Sequence, residues 1–209
     1  MSYAVKECYL TVQGEGKQVG ITAVFLRFTG CNLWSGLERD RTKAICKFCD
    51  TDFIGTDGPG GGKFPTANNL AEHVASFWSG EGQRWVVCTG GEPALQLNDD
   101  LIEALHEKDF KVAIETNGTL SVSDKIDWIC VSPKANTELV QTSGHELKLV
   151  YPQKENKPED FVNLAFENFS LQPLDDKNKA AHSEAAFNYC LKNPKWRLSI
   201  QTHKYIGVP

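Results

Sequence analysis

RWVVCTGGEP, residues 84–93, joins an apolar, β-branched run to a turn of glycines and a proline. The run has the length and composition of a buried strand, and the turn ends it. Working outward, similar runs predict strands at 23–28, 111–115, 128–131, 146–150, 169–172 and 196–201. Helical spacing of apolar residues predicts helices at 67–78, 99–107, 158–166 and 183–191. Strands that alternate with helices form βαβ units, so the sequence indicates an α/β fold with a mainly parallel sheet.

The length of 209 residues suits a single domain, 1–209, with a full hydrophobic core. The formal net charge is -5, and charged residues of both signs are mixed along the chain. No basic stripe marks a nucleic-acid partner. The first residues form no apolar signal segment, and the longest apolar runs are too short for a bilayer. We therefore expect a cytoplasmic protein with no membrane partner, in which seven cysteines serve metal binding or core packing rather than disulfides.

Polar and glycine-rich sets follow the predicted strands. Because the carboxyl ends of parallel strands meet at one edge of a sheet, these sets should come together there as a site. They are residues 30–31, 89–93, 116–118, 132–134, 172–173 and 202–204. By contrast, GTDGPGGG at 55–62 is typical of a mobile surface loop without chemistry.

The cysteine spacing carries the main chemical signal. Fourteen residues separate Cys31 from Cys46, and two more separate Cys46 from Cys49 in a Cys-x-x-Cys pair. A Cys-x-x-Cys pair alone fits zinc, thiol redox chemistry or an iron–sulfur cluster. Structural zinc requires four protein ligands, and no second pair or suitably spaced histidine is near. Three thiolates favour a four-iron, four-sulfur (4Fe-4S) cluster with one open iron, with zinc and a plain loop left as alternatives.

The turn at 89–93 supplies a second motif. Its glycines let backbone approach a ligand closely, and the Glu92 carboxylate could accept a hydrogen bond from a ligand ammonium group. Alone, the turn could be an ordinary connection from strand to helix. Together with the three cysteines it resembles the radical S-adenosylmethionine superfamily, in which this cofactor binds the open iron. The resemblance implies a partial TIM-like barrel of about six parallel strands with an extended cluster-binding loop.

Further motifs narrow the resemblance. The superfamily usually spaces its cysteines Cys-x-x-x-Cys-x-x-Cys, whereas residues 32–45 expand the first gap here. That expansion, with QGEG at 13–16, ETNG at 115–118, SPK at 132–134 and QTHKY at 201–205, is similar to one branch of the 7-carboxy-7-deazaguanine synthases. Members of that family convert 6-carboxy-5,6,7,8-tetrahydropterin to 7-carboxy-7-deazaguanine and ammonia. The resemblance implies hydrogen abstraction at C6, radical ring contraction and a place in queuosine and deazapurine biosynthesis.

The resemblance also implies residue roles. The cluster ligands, and hence the catalytic residues, are Cys31, Cys46 and Cys49. Contacts to S-adenosylmethionine are implied for Phe48, Cys49, Asp50, Gly91, Glu92, Ser132, Pro133, Lys134, Gln172, Pro173, Leu174 and Asp175. Contacts to the pterin are implied for Val12, Gln13, Gly14, Glu15, Arg27, Thr89, Glu115, His203 and Pro209, the last through a terminal carboxylate. Thr51 matches a hydroxyl that binds Mg2+.

Several residues have alternative interpretations. Arg27, in an apolar strand, could form a buried ion pair with Glu15 or Glu115 instead of binding substrate. His203 could be a structural histidine, and Thr51 could cap a turn. The whole chain could instead be an activating enzyme of the glycyl-radical type or a non-enzymatic zinc-binding module. The resemblance further implies a homodimer and a reducing electron donor such as a flavodoxin or ferredoxin.

Overall fold

The computed structural model describes residues 2–209, in which nine strands form one sheet. The strands are β1 (Tyr3–Val12), β2 (Thr22–Phe28), β3 (Gly62–Phe64), β4 (Arg84–Gly90), β5 (Phe110–Thr116), β6 (Trp128–Val131), β7 (Ser143–Tyr151), β8 (Ala165–Pro173) and β9 (Trp196–Leu198). Their spatial order is β3-β1-β2-β4-β5-β6-β7-β8-β9. β2 and β4 to β9 run parallel to one another, while β1 is antiparallel to both β2 and β3. The predicted α/β partial barrel is confirmed, with seven parallel strands in the described chain rather than about six.

Four α-helices accompany the sheet within residues 2–209. They are α1 (Ala67–Ser76), α2 (Asp99–His106), α3 (Lys179–Lys192) and α4 (Thr202–Ile206). The starts of α1 and α2 follow from side-chain caps: Thr66 Oγ1 accepts from the Asn69 amide, and Asn98 Oδ1 accepts from the Leu101 amide, both at 3.2 Å. These bonds satisfy amides that a helix start leaves without partners.

The main core lies between α1 and α2 and one face of the sheet. Leu70, Val74 and Leu101 are fully buried there with Val86 and Val112 of the central strands. The opposite face carries a smaller apolar cluster around Ala23, Val87 and Ala113, and polar side chains towards the carboxyl ends. The fold therefore keeps one sheet face for stability and leaves the other free to form a site.

Three local predictions are wrong. Instead of a helix at 158–166, Pro158–Asp160 forms one 3-10 turn and β8 begins at Ala165, because pairing with β7 buries Phe166 opposite Gly144. The last strand ends at Leu198 rather than at 201. The stretch 55–62 is not a loose loop: the Gly58 amide donates to Lys6 O at 3.0 Å, and Gly62 begins β3.

Candidate active site

The cluster loop leaves β2 at its carboxyl end and folds over a small apolar cluster of its own. Trp34, Ala44 and Phe53 are buried there, with Cys31 and Cys49 packed against them. The guanidinium of Arg41 lies 4.0 Å from the centre of the Trp34 ring and donates to the carbonyls of Lys47 and Cys49. The insert at 32–45 therefore forms the local structure that holds the cysteine segment.

The three cysteines are free thiols on one side of the sheet edge. Burial raises the pKa of Cys31 and of Cys46, and the charges of neighbouring cysteines raise both further. Lys134 acts in the opposite direction on the pKa of Cys46, and the Leu33 amide donates to Cys31 Sγ at 3.4 Å. Across residues 2–209, no three His, Cys, Asp or Glu side chains are already drawn to metal-binding distance. The donors nevertheless fit a cluster: they are three neighbouring thiols that a cation and an amide help to ionise.

Gly91, directly after β4, packs against the start of the cluster loop at Gly30 and Cys31. A Cβ atom at this position would lie 2.2 Å from Gly30 O and 2.7 Å from Cys31 Cβ, so glycine is required by the close approach. The next amide, that of Glu92, donates to Gly30 O at 2.9 Å. The start of the cysteine motif and the Gly-Gly-Glu turn are thus in direct contact.

The Glu92 side chain is fully buried and already bonded within the protein. It accepts hydrogen bonds from the Ala94 and Asn117 amides and from Thr116 Oγ1, at 2.7–2.9 Å. A carboxylate offers about four acceptor positions, so one remains for a ligand. Glu92 therefore ties the end of β4 to the end of β5, and its bond to a ligand ammonium group stays a prediction.

A first cavity opens beside Gly91 at the carboxyl ends of the parallel strands. Lys134 donates to Ser132 O and Ser132 Oγ at its wall, at 2.6 and 2.7 Å. Pro133 and Glu92, both buried, are not on its surface. The residues predicted for S-adenosylmethionine that do line it are Phe48, Cys49, Asp50, Gly91, Ser132, Lys134, Gln172, Pro173, Leu174 and Asp175.

A second cavity lies next to the first and encloses about 1200 Å³, part of it open to solvent. All the residues predicted for the pterin line it: Val12, Gln13, Gly14, Glu15, Arg27, Thr89, Glu115, His203 and Pro209. Five residues line both cavities and form the wall that the two share: Glu15, Asp50, Thr51, Glu115 and Gln201. The structure therefore brings the two predicted sets together on either side of one wall.

The partner of Arg27 differs from either alternative. Its Nε donates to Glu7 Oε1 at 2.7 Å, and not to Glu15 or Glu115. The antiparallel register of β1 and β2 sets Glu7 opposite Arg27 and explains the pair. The strand-forming residues of YAVKECYLTV, residues 3–12, could have predicted β1, but the register that selects this partner is set by tertiary pairing.

A buried lysine joins two of the three carboxylates of the shared wall, those of Glu15 and Glu115. Lys148 Nζ lies 2.7 Å from Glu15 Oε2 and 2.9 Å from Glu115 Oε2. Burial would raise the pKa of Glu15, but Lys148 and the amides of Gln201 and Gln172 lower it to about 2. Sequence reasoning missed Lys148, although a lysine inside the apolar run ELKLV at 146–150 signals a buried charge that needs partners.

Helix α4 brings the last residues over the second cavity. His203 packs so closely on Gly14 that a Cβ there would lie 2.1 Å from His203 Nδ1, and burial lowers the pKa of this histidine. Lys204 donates to Asp50 and Asp175, which belong to the two loops that flank the first cavity. Pro209 O accepts from Thr11 Oγ1 at 3.0 Å. The C-terminal segment therefore links both cavities to β1 and to the cluster loop.

Comparison with known proteins supplies independent evidence. Residues 41–142 match the Radical SAM superfamily, a segment that includes Cys46, Cys49 and the Gly-Gly-Glu turn. The chain is 60% identical to the 7-carboxy-7-deazaguanine synthase of Caulobacter vibrioides and 59% identical to that of Bordetella pertussis, each over the full length of both proteins. The crystal structure of QueE from Escherichia coli is similar with a TM-score of 0.72 and 26% identity, covering 97% of this chain and 95% of that one.

No helix among residues 2–209 has both the length and the apolar character that crossing a membrane requires. The superfamily implies a 4Fe-4S cluster, S-adenosylmethionine and a reductant, and the synthase relatives imply a small-molecule substrate, in keeping with the thiols and the paired cavities. On fold, motifs and identity together, this chain belongs to the 7-carboxy-7-deazaguanine synthase family of radical S-adenosylmethionine enzymes.

Proposed function

We propose that this chain, acting as a single domain over 1–209, converts 6-carboxy-5,6,7,8-tetrahydropterin to 7-carboxy-7-deazaguanine and ammonia. The observation that carries the proposal is the shared wall of Glu15, Asp50, Thr51, Glu115 and Gln201. One side of this wall faces the cysteine loop and the other faces Arg27 and His203. With one small molecule in each cavity, the reacting atoms of the two molecules would lie next to each other. Hydrogen transfer between them requires such proximity.

On the first side, Cys31, Cys46 and Cys49 would hold the cluster. When bound, the cluster supplies the electron that cleaves S-adenosylmethionine and generates the 5′-deoxyadenosyl radical. The protein binds and aims the cofactor: Gly91 provides bare backbone, and Glu92 fixes that backbone to the end of β5. The remaining wall of the first cavity is lined by Ser132, Lys134 and the segment 172–175. These residues would contact the ribose and adenine of the cofactor.

On the second side, Arg27 would bind the substrate carboxylate. Its Nε is engaged by Glu7 and its guanidinium also interacts with Tyr9, which leaves the remaining N–H groups of the fork for a planar anion in the cavity. Gln13, Glu15, Glu115 and His203 surround the same space and offer both donors and acceptors to the rings. The α4 segment covers this side and limits entry of water to a radical intermediate.

Mg2+ would bind at Thr51, on the shared wall. The described residues hold no ready-made cage of acidic ligands, and magnesium usually keeps several waters and takes few protein ligands. A coordination shell made of the Thr51 hydroxyl, the substrate carboxylate and water agrees with this preference. The ion would thereby orient the substrate between Arg27 and the first cavity.

Two partners complete the proposal. Exposed Arg39, Lys43 and Lys47 surround the cysteine loop and favour an acidic electron donor such as a flavodoxin or ferredoxin.

A homodimer is supported by Phe187 and Leu191, which are 49% and 67% exposed one turn apart on α3. Sedimentation of the wild type and of a Leu191→Glu variant tests the dimer; an unchanged dimer in the variant would remove this face from the interface.

The experiment for the activity is anaerobic turnover with carboxytetrahydropterin, S-adenosylmethionine, Mg2+ and a chemical reductant, with mass analysis of the products. We expect 7-carboxy-7-deazaguanine and ammonia, with S-adenosylmethionine regenerated. The rival function, an activating enzyme of the glycyl-radical type, would consume S-adenosylmethionine and leave the pterin intact. The buried charges of Glu15, Glu115 and Lys148 favour a small polar ligand over a glycine residue of a protein substrate.

A further inference from the structure

Lys148 projects from β7 into the wall that the two cavities share. Its side chain is only 7% exposed, while those of its partners Glu15 and Glu115 are 18% and 20% exposed. Burying an ammonium group is unfavourable unless opposite charges and hydrogen bonds surround it. The position of this lysine is therefore explained by the two carboxylates, and the two carboxylates are stabilised by it.

The acceptor positions that remain on the two carboxylates differ. Glu15 accepts from Gln172 and Gln201 besides Lys148, whereas Glu115 accepts from Gln13 besides Lys148 and has the buried Cys130 thiol, a weak donor, beside it. With about four acceptor positions on an ionised carboxylate, Glu115 keeps about one or two that can face a ligand. Protonation would replace one of them with an O–H donor.

Glu115 is also the carboxylate that depends most on a nearby cation. Burial raises its pKa, the charges of Glu15 and Glu146 raise it further, and Lys148 lowers it. The other titratable groups that face this trio are Cys130 on β6, Glu146 on β7, Lys134 after β6 and His203 on α4. Lys134 is bonded to Ser132, and burial favours the neutral form of His203. Lys148 is thus the cation in contact with Glu115.

We propose that Lys148 is a positioning residue that keeps Glu115 ionised, so that this carboxylate accepts hydrogen bonds from the N–H edge of the pterin. This inference rests on the proposed function and names a determinant of its substrate specificity. An ionised carboxylate matches a ring N–H and an exocyclic amino group, and it disfavours ligands that present carbonyl oxygens there.

The test compares Lys148→Met, which keeps the length but removes the charge, with Lys148→Arg, which keeps the charge. The reconstituted enzyme is titrated with 6-carboxypterin, an unreactive probe, by fluorescence between pH 6 and pH 9. At pH 7 we expect K148M to lose about tenfold or more in affinity, because without the neighbouring cation the protonated form of Glu115 predominates, and K148R to lose less. The affinity of K148M should recover as the pH rises, because deprotonation of Glu115 restores its acceptor positions.

A loss that is the same at every pH, or no loss, would overturn the inference, since a purely structural lysine gives no such recovery. Should circular dichroism show K148M unfolded, the Glu15→Gln, Lys148→Met double variant reduces the buried charge and is judged by the same two outcomes. Wild-type enzyme that neither binds 6-carboxypterin nor forms product would contradict the proposed function itself. The failures of the two proposals are thereby distinguishable.

Discussion

The two cavities share a wall but are built in different ways. The first is lined mainly by the cluster loop and by residues at or just after the carboxyl ends of β4, β5, β6 and β8, so most of its residues lie in short contiguous motifs. The second combines the β1–β2 turn, the interior ends of β2, β4 and β5, and the last residues of the chain. The residues proposed to bind the cofactor are therefore local in the sequence, whereas those proposed to bind the substrate are assembled by long-range pairing.

The largest expected effect comes from the first cavity. Replacing Cys46 by Ala removes one of three proposed thiolates, so the cluster should not assemble and S-adenosylmethionine cleavage should be lost entirely. Iron analysis and the visible absorption spectrum after anaerobic reconstitution measure the cluster, and deoxyadenosine formation measures the cleavage. If the two cavities bind their ligands independently, the Cys46→Ala variant should still bind 6-carboxypterin.

The matched control is Cys190→Ala, a free thiol on α3 that is partly buried and lies outside both cavities. It should keep the iron content and the cleavage of the wild type. Robust deoxyadenosine production by a folded C46A enzyme would contradict the assignment of the cluster to these cysteines.

The same difference between the cavities explains which parts of the fold and of the site the sequence could predict. The parallel strands, α1, α2, α3 and the first cavity follow from periodicity and from motifs of a few adjacent residues. The partner of Arg27 depends on the register of β1, and the partners of Lys148 lie more than thirty positions away in the chain. Such pairings are settled by tertiary burial, and no local pattern encodes them.

The next effect probes the second cavity alone. Arg27→Gln removes the guanidinium proposed to bind the substrate carboxylate, a charged hydrogen bond worth about 2 kcal/mol. We expect KM for carboxytetrahydropterin to rise about thirtyfold, while the affinity for S-adenosylmethionine stays the same. Steady-state kinetics with each substrate varied in turn measures both.

Two variants control this result. Arg84→Gln changes an arginine at the far end of β4, where Arg84 donates to Lys108 O, and should leave KM unchanged. Glu7→Gln combined with Arg27→Gln removes the unpaired carboxylate left in the single variant. Equal losses for both substrates in these folded variants would mean that Arg27 supports the fold rather than the pterin.

A smaller effect tests the contact between the motifs of the first cavity. Gly91→Ala places a Cβ 2.2 Å from Gly30 O, so the backbone has to shift, at a cost of about 2 kcal/mol. We expect a lower midpoint in thermal unfolding and about tenfold weaker S-adenosylmethionine binding. Gly62→Ala is the control, because its Cβ would meet Phe64 at an ordinary 3.5 Å. Identical behaviour of the two variants would show that close approach at Gly91 is not needed.

The smallest effect belongs to the shared wall, where the two kinds of construction meet. Thr51→Ala removes one neutral oxygen from a proposed Mg2+ site whose other ligands are water and the substrate, so the Mg2+ concentration for half-maximal rate should rise about threefold. The cluster spectrum should not change, and Thr42→Ala, on the exposed part of the insert, should match the wild type. Because Thr51 lines both cavities, a loss of cluster or of pterin affinity without Mg2+ would instead make it a structural part of the wall. An unchanged Mg2+ titration would remove the ion from this residue and leave Arg27 as the group that orients the substrate carboxylate.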